Sequence, residues 1–143
     1  MAIRVRTLTD EERDSFLAER RYGILSSLRA EGSPVAVPVW FDWDGTTVSM
    51  FTYMISPKVK RLQLDQRASL LVTNHPDELE RWVAFDGVVT VHKEGGLELA
   101  ERLVPKYWYE DDPRRAVLDS WRQMRDGWRL LELKPNAVRT YKD

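Results

Sequence analysis

Short apolar segments alternate with turn-forming residues over residues 22–73, and this alternation restricts the fold more than any other feature of the sequence. Gly32 and the Asp44-Gly45 pair stand where tight turns would join neighbouring segments. The pattern is typical of antiparallel strands connected as hairpins. It predicts four strands, at residues 22–29, 34–41, 47–53 and 68–73.

Two further strands are predicted in the second half of the chain. Residues 82–92 alternate apolar and polar side chains around Gly87, which indicates a bulge or sharp bend. The last strand begins at Trp128, and the Pro135-Asn136 pair is expected to kink it. The total of six strands favours a small barrel or sandwich over a parallel βαβ fold.

Helices are predicted at three places between these strands. Thr9 and Glu12 have the spacing of a capping box, so a helix of about three turns should begin there. Ser56 is a suitable N-cap, with Pro57 at the first helical position of a short helix. A helical periodicity over residues 97–124, interrupted at Pro113, predicts a pair of short helices.

Composition excludes several classes of function. The chain has 143 residues and no Cys, which excludes thiol nucleophiles and Cys-ligated metals. Its two His leave little room for a metal site built from histidines. Lys and Arg number 22 against 23 Asp and Glu, so no overall basic field favours nucleic acid. The length suits one domain over residues 1–143. Because no apolar run is long enough for a membrane span or a signal peptide, we expect a cytoplasmic protein.

A basic helix start follows the third strand and is the most specific candidate site. The strand ends in Thr52, Ser56 can cap the helix, and Lys58, Lys60 and Arg61 lie in its first turn and a half. Cations at a helix N-terminus oppose the helix dipole, so three of them there cost stability unless an anion offsets them. The segment therefore indicates a phosphate site, with a solvated basic face as the alternative.

The strand at 34–41 is apolar but contains Pro38, which cannot donate to a β-ladder. Its middle must therefore lie at a sheet edge or a bulge, where backbone groups stay available. Those groups could bind the edge of a planar ring while Trp40 covers the ring face. The alternative is a bulged core strand.

The remaining candidates are less specific. Six Trp residues fit a homodimer interface or an ordinary aromatic core equally well. His75 and His92 fall at strand ends, where a structural or solvent-facing role is commoner than a catalytic one, and their roles stay open. Since no catalytic triad, phosphate loop or metal-ligand pattern is present, we assign no catalytic side chain and no metal site.

The order of these parts resembles the pyridoxamine 5'-phosphate oxidase-like split β-barrel superfamily. The resemblance is carried by Pro-Val-Trp-Phe at 38–41, Ser-Pro-Lys-Val-Lys-Arg-Leu at 56–62 and the strand at 67–72, and it covers about residues 8–91. The sequence is most similar to the branch of flavin- and deazaflavin-dependent oxidoreductases. Residues 131–141 are also similar to the last strand of that superfamily.

The resemblance implies a mainly β fold: a six-stranded antiparallel split β-barrel of the FMN-binding type, with an N-terminal helix and an inserted helical pair. It also implies a homodimer with cofactor sites at the subunit interface. Together with the basic cluster, it assigns cofactor phosphate to one group of residues and the isoalloxazine ring to another. These groups are Lys58, Thr52, Ser56, Lys60 and Arg61 for the phosphate, and Pro38, Val39 and Trp40 for the ring.

The implied function is an FMN-dependent oxidoreductase that passes hydride between bound flavin and a small organic acceptor, because in such proteins the cofactor carries the chemistry. Three alternatives stay open: a reductase that uses the deazaflavin coenzyme F-420, a non-catalytic module that binds flavin or haem, and a barrel kept only for dimerisation. The anionic tail of a deazaflavin would need a basic groove, which Arg20, Arg21 and Arg61 could supply. We expect a small-molecule substrate and neither nucleic acid nor membrane as partner.

Overall fold

The computed structural model describes residues 6–143, and its seven antiparallel strands form one sheet in the order β2-β1-β5-β6-β7-β4-β3. The expected mainly β class is confirmed, but the expected count of six strands is wrong. The strands are β1 (Gly23–Leu28), β2 (Pro34–Val39), β3 (Asp42–Trp43), β4 (Val48–Tyr53), β5 (Arg67–Thr73), β6 (Arg81–His92) and β7 (Trp128–Lys142).

The seventh strand is β3, a two-residue ladder in which Asp42 pairs with Ser49 and Trp43 with Val48. A strand this short has no periodicity of its own, so the sequence pattern could not reveal it. Strands β2 and β3 are the two edges of the sheet, yet only Trp40 and Phe41 separate them along the chain. This short link brings the edges together and curls the sheet into an open barrel. The predicted edge position of the Pro38 strand is confirmed.

A β-bulge interrupts the pairing of the two longest strands, β6 and β7. Asp86 pairs with Ala137 and Gly87 with Pro135, so Asn136 is the extra residue on β7. A Cβ atom on Gly87 would lie 2.2 Å from the carbonyl oxygen of Lys134, which explains why only glycine fits there. The predicted bulge at Gly87 is confirmed, and β7 continues as one strand through the Pro135-Asn136 pair, where the bulge distorts it locally.

The helices occupy the predicted places. Thr9 caps the first one through a reciprocal capping box with Glu12, which contributes about 1 kcal/mol. Ser56 occupies the N-cap position of the second helix, but its hydroxyl makes no capping hydrogen bond. Two short 3-10 helices, Pro113–Ala116 and Arg125–Gly127, flank the last α-helix. The α-helices are α1 (Asp10–Ala18), α2 (Pro57–Leu64), α3 (Gly96–Tyr107) and α4 (Val117–Gln123).

The main core fills the barrel interior with alternate side chains from the strands. Helix α1 covers it through Phe16 and Leu17, and α2 contributes Leu62. A second apolar cluster forms where α3 packs through Leu99, Leu103 and Tyr107 against outward-facing side chains of β4 and β7. The barrel is therefore packed on both sides of β4, which ends at the candidate phosphate site.

No helix within residues 6–143 combines the length and apolar character needed to cross a membrane. No group of three or more His, Asp or Glu side chains in this part of the chain is arranged to hold a metal ion.

Candidate functional site

The candidate site begins where β4 passes into α2. Thr52 faces the barrel interior at the end of β4 and is 7% exposed. The side chain of Lys58, in the first turn of α2, folds back so that its Nζ donates to Thr52 Oγ1 at 3.3 Å. Ser56 is half-buried between them along the chain. Because its hydroxyl does not cap the helix, that hydroxyl remains available to a ligand.

A second cation of α2 reaches a different strand. Arg61 Nε donates to Ser27 Oγ at 3.3 Å, and Ser27 is a buried polar residue on the interior face of β1. Lys58 and Arg61 are three residues apart and therefore lie on one face of the helix. Helix α2 thus places two cations beside two hydroxyls drawn from opposite sides of the barrel opening.

The charge of this cluster is not compensated. Within residues 6–143 neither Lys58 nor Arg61 forms a salt bridge with a carboxylate. Burial, and next the neighbouring charge of Arg61, lowers the pKa of Lys58 below its ordinary value of 10.5. A half-buried, mutually repelling pair of cations at a helix start favours an anionic ligand.

Lys60 lies apart from this pair. Its side chain is exposed, and its position on α2 turns it away from the face that carries Lys58 and Arg61. The structure thus brings Lys58, Arg61 and Thr52 together, with Ser56 beside them, and leaves Lys60 in solvent.

The three residues expected near the ring point in different directions. Pro38 is exposed, Val39 lies in the barrel core, and Trp40 packs outside the barrel against α3. The Trp40 ring stacks on Tyr107, with centroids 4.7 Å apart and an interplanar angle of 2°. What this stretch offers to a ligand is therefore the backbone edge of β2 rather than one continuous surface of side chains.

Trp40 belongs to an aromatic cluster on the outer side of β4. Its ring meets Trp108 edge-on at 4.8 Å, and Trp121 and Trp128 extend the cluster with centroids 5.0 Å apart. Four of the six Trp residues thus pack together where α3 and α4 meet the outer side of β4, as in an ordinary aromatic core. Trp43 and Trp82 pack elsewhere, on Phe85 and Tyr141 respectively.

The arginines suggested for a basic groove do not form one. Arg21 is buried in an ion pair with Glu78 and Glu19, and Arg20 donates to the Tyr109 hydroxyl at 2.5 Å. The suggestion of a shared groove with Arg61 is therefore wrong. Both arginines precede β1 at its Gly23 end, whereas Arg61 contacts Ser27 near the opposite end.

Neither histidine joins the cluster. His75 is exposed in the β5–β6 connection, where its backbone N–H donates to Glu78. His92 Nε2 lies 3.7 Å from Glu132 Oε1, is shielded from solvent, and makes no hydrogen bond within residues 6–143.

One residue at the site and one strand neighbour of Thr52 were not predicted from the sequence. Ser27 could have been noticed as a polar residue at an inward position of an apolar strand. Arg129 lies opposite Thr52 in the β4–β7 ladder, and only the strand register reveals this neighbour.

A search of curated proteins returned no match to this sequence. Among solved structures, the conserved hypothetical protein Rv2991 of Mycobacterium tuberculosis is 22% identical with a TM-score of 0.75, covering 99% of this chain and 90% of that one. An F420 reductase is 19% identical with a TM-score of 0.70, covering 88% of this chain and 94% of that one. HutZ, a haem storage protein of Vibrio cholerae, is 16% identical with a TM-score of 0.69, covering 92% of each chain.

These likenesses agree with the curled antiparallel sheet and its helices. The family model described as pyridoxamine 5'-phosphate oxidase matches residues 9–142, which is nearly the whole chain. The matched region includes every element described above, from the capping box at Thr9 to the end of β7. The chain is therefore a member of the pyridoxamine 5'-phosphate oxidase family, with the split-barrel fold of that superfamily.

Proposed function

We propose that this protein is an FMN-dependent oxidoreductase that passes hydride between bound flavin and a small organic acceptor. The observation that carries the proposal is the pair of uncompensated cations, Lys58 and Arg61, beside the hydroxyls of Thr52 and Ser27. A phosphate monoester would offset the cost of holding these cations half-buried at a helix start.

The cofactor phosphate would lie against α2, and the ring would lie along the edge of β2. Ser27, which contacts Arg61, pairs with Val35, whereas Pro38 is three residues farther along the same strand. That separation is about 10 Å along β2. The ribityl chain of a flavin would bridge the two places, so one molecule could use both.

The bound flavin would supply the hydride chemistry, as in other flavin enzymes. The side chains described above would bind the phosphate and orient the ring, and none of them needs to act as a nucleophile. The backbone edge of β2 would hydrogen-bond the polar rim of the ring, since no other strand pairs with that edge within residues 6–143.

A second copy of the chain would complete the site. Pro38, Ile24 and Leu71 are cross-strand neighbours on the outer face of β2, β1 and β5, and Leu71 is 39% exposed. This apolar row begins at Pro38, which is one of the residues assigned to the isoalloxazine ring. A partner subunit bound to the row would therefore cover the cofactor. A sedimentation measurement on the wild type and on Leu71→Lys tests this point, because a monomeric wild type would contradict it.

The alternative cofactor is the deazaflavin coenzyme F-420. It presents a similar tricyclic ring and a phosphate to the same surfaces, and an F420 reductase is among the structures of similar fold. A non-catalytic haem-binding module is the second alternative, because a haem storage protein also shares the fold.

Titration of the purified protein with FMN, coenzyme F-420 and haem tests the proposal. Tight binding of FMN, followed by reduction of the bound flavin by a nicotinamide donor and its reoxidation by an organic acceptor, supports it. Binding of coenzyme F-420 alone favours the deazaflavin alternative, and haem binding without turnover favours the storage module. Binding of none of the three rejects the proposed function.

A further inference from the structure

A cavity of about 400 Å³ lies away from the cationic cluster of α2, at the end of β1 that begins with Gly23. Its walls come from the α1–β1 connection, the β5–β6 connection, the end of α3 and the first of the two 3-10 helices. They are formed by residues 19–22, His75, Tyr107 and Arg114. A cavity of this volume suits a small organic molecule.

Hydrogen bonds fix the walls of this cavity relative to one another. The buried Tyr107 hydroxyl donates to the Arg21 carbonyl at 2.6 Å. The Arg21 guanidinium, which is also buried, donates to both carboxylate oxygens of Glu78 at 2.7 and 2.8 Å. Glu78 in turn accepts from the His75 backbone N–H at 2.8 Å. The cavity is therefore preorganised, which lowers the entropic cost of binding a ligand.

The arginines that line the cavity differ in how far their charges are compensated. The Arg21 guanidinium is neutralised by two glutamate side chains. Arg114 Nη2 lies 2.6 Å from an oxygen of Asp112. Arg20, by contrast, forms no salt bridge within residues 6–143. One positive charge of the cavity wall is thus available to a ligand.

Tyr109 holds the Arg20 guanidinium in place. The guanidinium carbon lies 4.3 Å from the centroid of the Tyr109 ring, and Nη2 donates to the Tyr109 hydroxyl at 2.5 Å. Because tyrosine is uncharged, these contacts position the cation without neutralising it. The remaining N–H groups can bind a carboxylate through parallel hydrogen bonds. A carboxylate also matches one available cation, whereas a phosphate monoester would bring a charge of about −1.5 to −2.

Tyr22 gives the cavity an aromatic surface. Its side chain is 58% exposed, and its ring centroid lies 6.0 Å from that of Tyr107. An exposed tyrosine ring at a cavity wall offers a flat apolar face on which another ring can stack. Together with Arg20, it favours a ligand that is both planar and anionic.

The cavity adjoins the stretch that the proposed function assigns to the isoalloxazine ring. Tyr22 directly precedes Gly23, which pairs with Val39 of β2. On the other wall, Tyr107 stacks on Trp40 with centroids 4.7 Å apart. A molecule in the cavity would therefore lie beside residues 38–40, where an acceptor for the flavin would be needed.

We infer that this cavity binds a small planar organic carboxylate, with Arg20 as the counter-charge and Tyr22 as the stacking surface. That this carboxylate is the acceptor of the oxidoreductase rests on the proposed function. The binding preference itself belongs to the side chains of the cavity and can be measured without any cofactor.

NMR chemical-shift titration of the full chain with benzoate and with benzamide tests the inference, because the two probes share a planar ring and differ in charge. We expect benzoate to bind the wild type at least tenfold more tightly than benzamide. Arg20→Gln should weaken benzoate binding about tenfold, as for one charge-assisted contact, and benzamide binding less than twofold. Arg125→Gln is the matched control, because it removes an exposed arginine that does not line the cavity and should change neither affinity.

Tyr22→Leu tests the stacking surface separately. It should weaken both probes about threefold, since both carry the ring, and leave the preference for benzoate intact. Circular dichroism checks that each variant is folded. Because Arg20 and Tyr22 are both exposed, we expect neither substitution to unfold the protein.

Three results overturn the inference: a wild type that binds neither probe, equal affinities for the two probes, or an Arg20→Gln variant that binds benzoate like Arg125→Gln. If benzoate binds as expected but FMN and coenzyme F-420 do not, the proposed function fails while the carboxylate site stands. If FMN binds and turns over but benzoate does not compete with the acceptor, the proposed function stands and the cavity is not its acceptor site.

Discussion

The ammonium of Lys58 and the hydroxyl of Thr52 lie 3.3 Å apart, although one belongs to a helix and the other to a strand. The contact directs the lysine back over the barrel opening rather than out along α2. An exposed lysine would be solvated and free to adopt many rotamers, whereas this one is half-buried beside a second cation. The pair therefore defines where an anion would bind.

Lys58→Ala should weaken FMN binding by about 1.5–3 kcal/mol, roughly ten- to a hundredfold, because it removes a charge-assisted hydrogen bond to the phosphate. Lys60→Ala is the matched control, since Lys60 is exposed on the same helix and should change affinity less than twofold. Fluorescence titration measures both. Equal effects of the two variants would show that only the general charge of α2 matters.

FMN affinity should begin to fall at a lower pH than it would if the phosphate were bound by a lysine with an ordinary pKa. Burial and Arg61 lower the pKa of Lys58 below 10.5, so the free protein loses this charge at a lower pH. A bound phosphate would raise that pKa again. The affinity for FMN should therefore decrease as the pH rises through the pKa that Lys58 has in the free protein. Lys58→Arg should remove this decrease, because an arginine keeps its charge over the same range. Identical pH profiles would exclude Lys58 as the titrating group.

Tyr107→Phe should lower the free energy of unfolding by about 1–3 kcal/mol. The buried hydroxyl donates to the Arg21 carbonyl at 2.6 Å and accepts from the Phe41 N–H at 3.3 Å, and burial raises the pKa of Tyr107 to about 12. The variant keeps the stacking on Trp40 but leaves two buried backbone groups unpaired. Denaturant unfolding measures the loss, with Tyr109→Phe as an exposed control expected within about 0.5 kcal/mol of the wild type.

Glu78→Gln should lower the Tm at neutral pH and have little effect in acid. Glu78 accepts hydrogen bonds from Arg21 and Arg81, and the Arg21 contact is the main reason why the pKa of Glu78 is well below 4.5. A carboxylate whose pKa is lowered by folding stabilises the fold fully at pH values above its pKa in the unfolded chain. This contribution disappears as the pH falls toward its pKa in the folded protein. The Tm difference should therefore shrink below about pH 4.5. Glu80→Gln is the control, and a difference that does not depend on pH would assign the effect to packing instead.

Local sequence information accounted for most of the secondary structure. The capping box at Thr9, the proline at the first position of α2 and the glycine opposite the β7 bulge each act within a few residues, so they could be interpreted without the fold. Strand β3 could not, because two residues carry no periodicity. The continuous path of β7 through Pro135 depends on its pairing with β6, which is a tertiary contact.

The same division applies to the site. The sequence by itself determined that Lys58 and Arg61 lie on one face of a helix start, since helical spacing requires it. Only the tertiary structure decided that Ser27 joins them and that Trp40 turns away toward Tyr107. These neighbours are far apart along the chain, and their meeting depends on strand register and on how the sheet curls. Neither is encoded in a local pattern, because both arise from packing between distant segments.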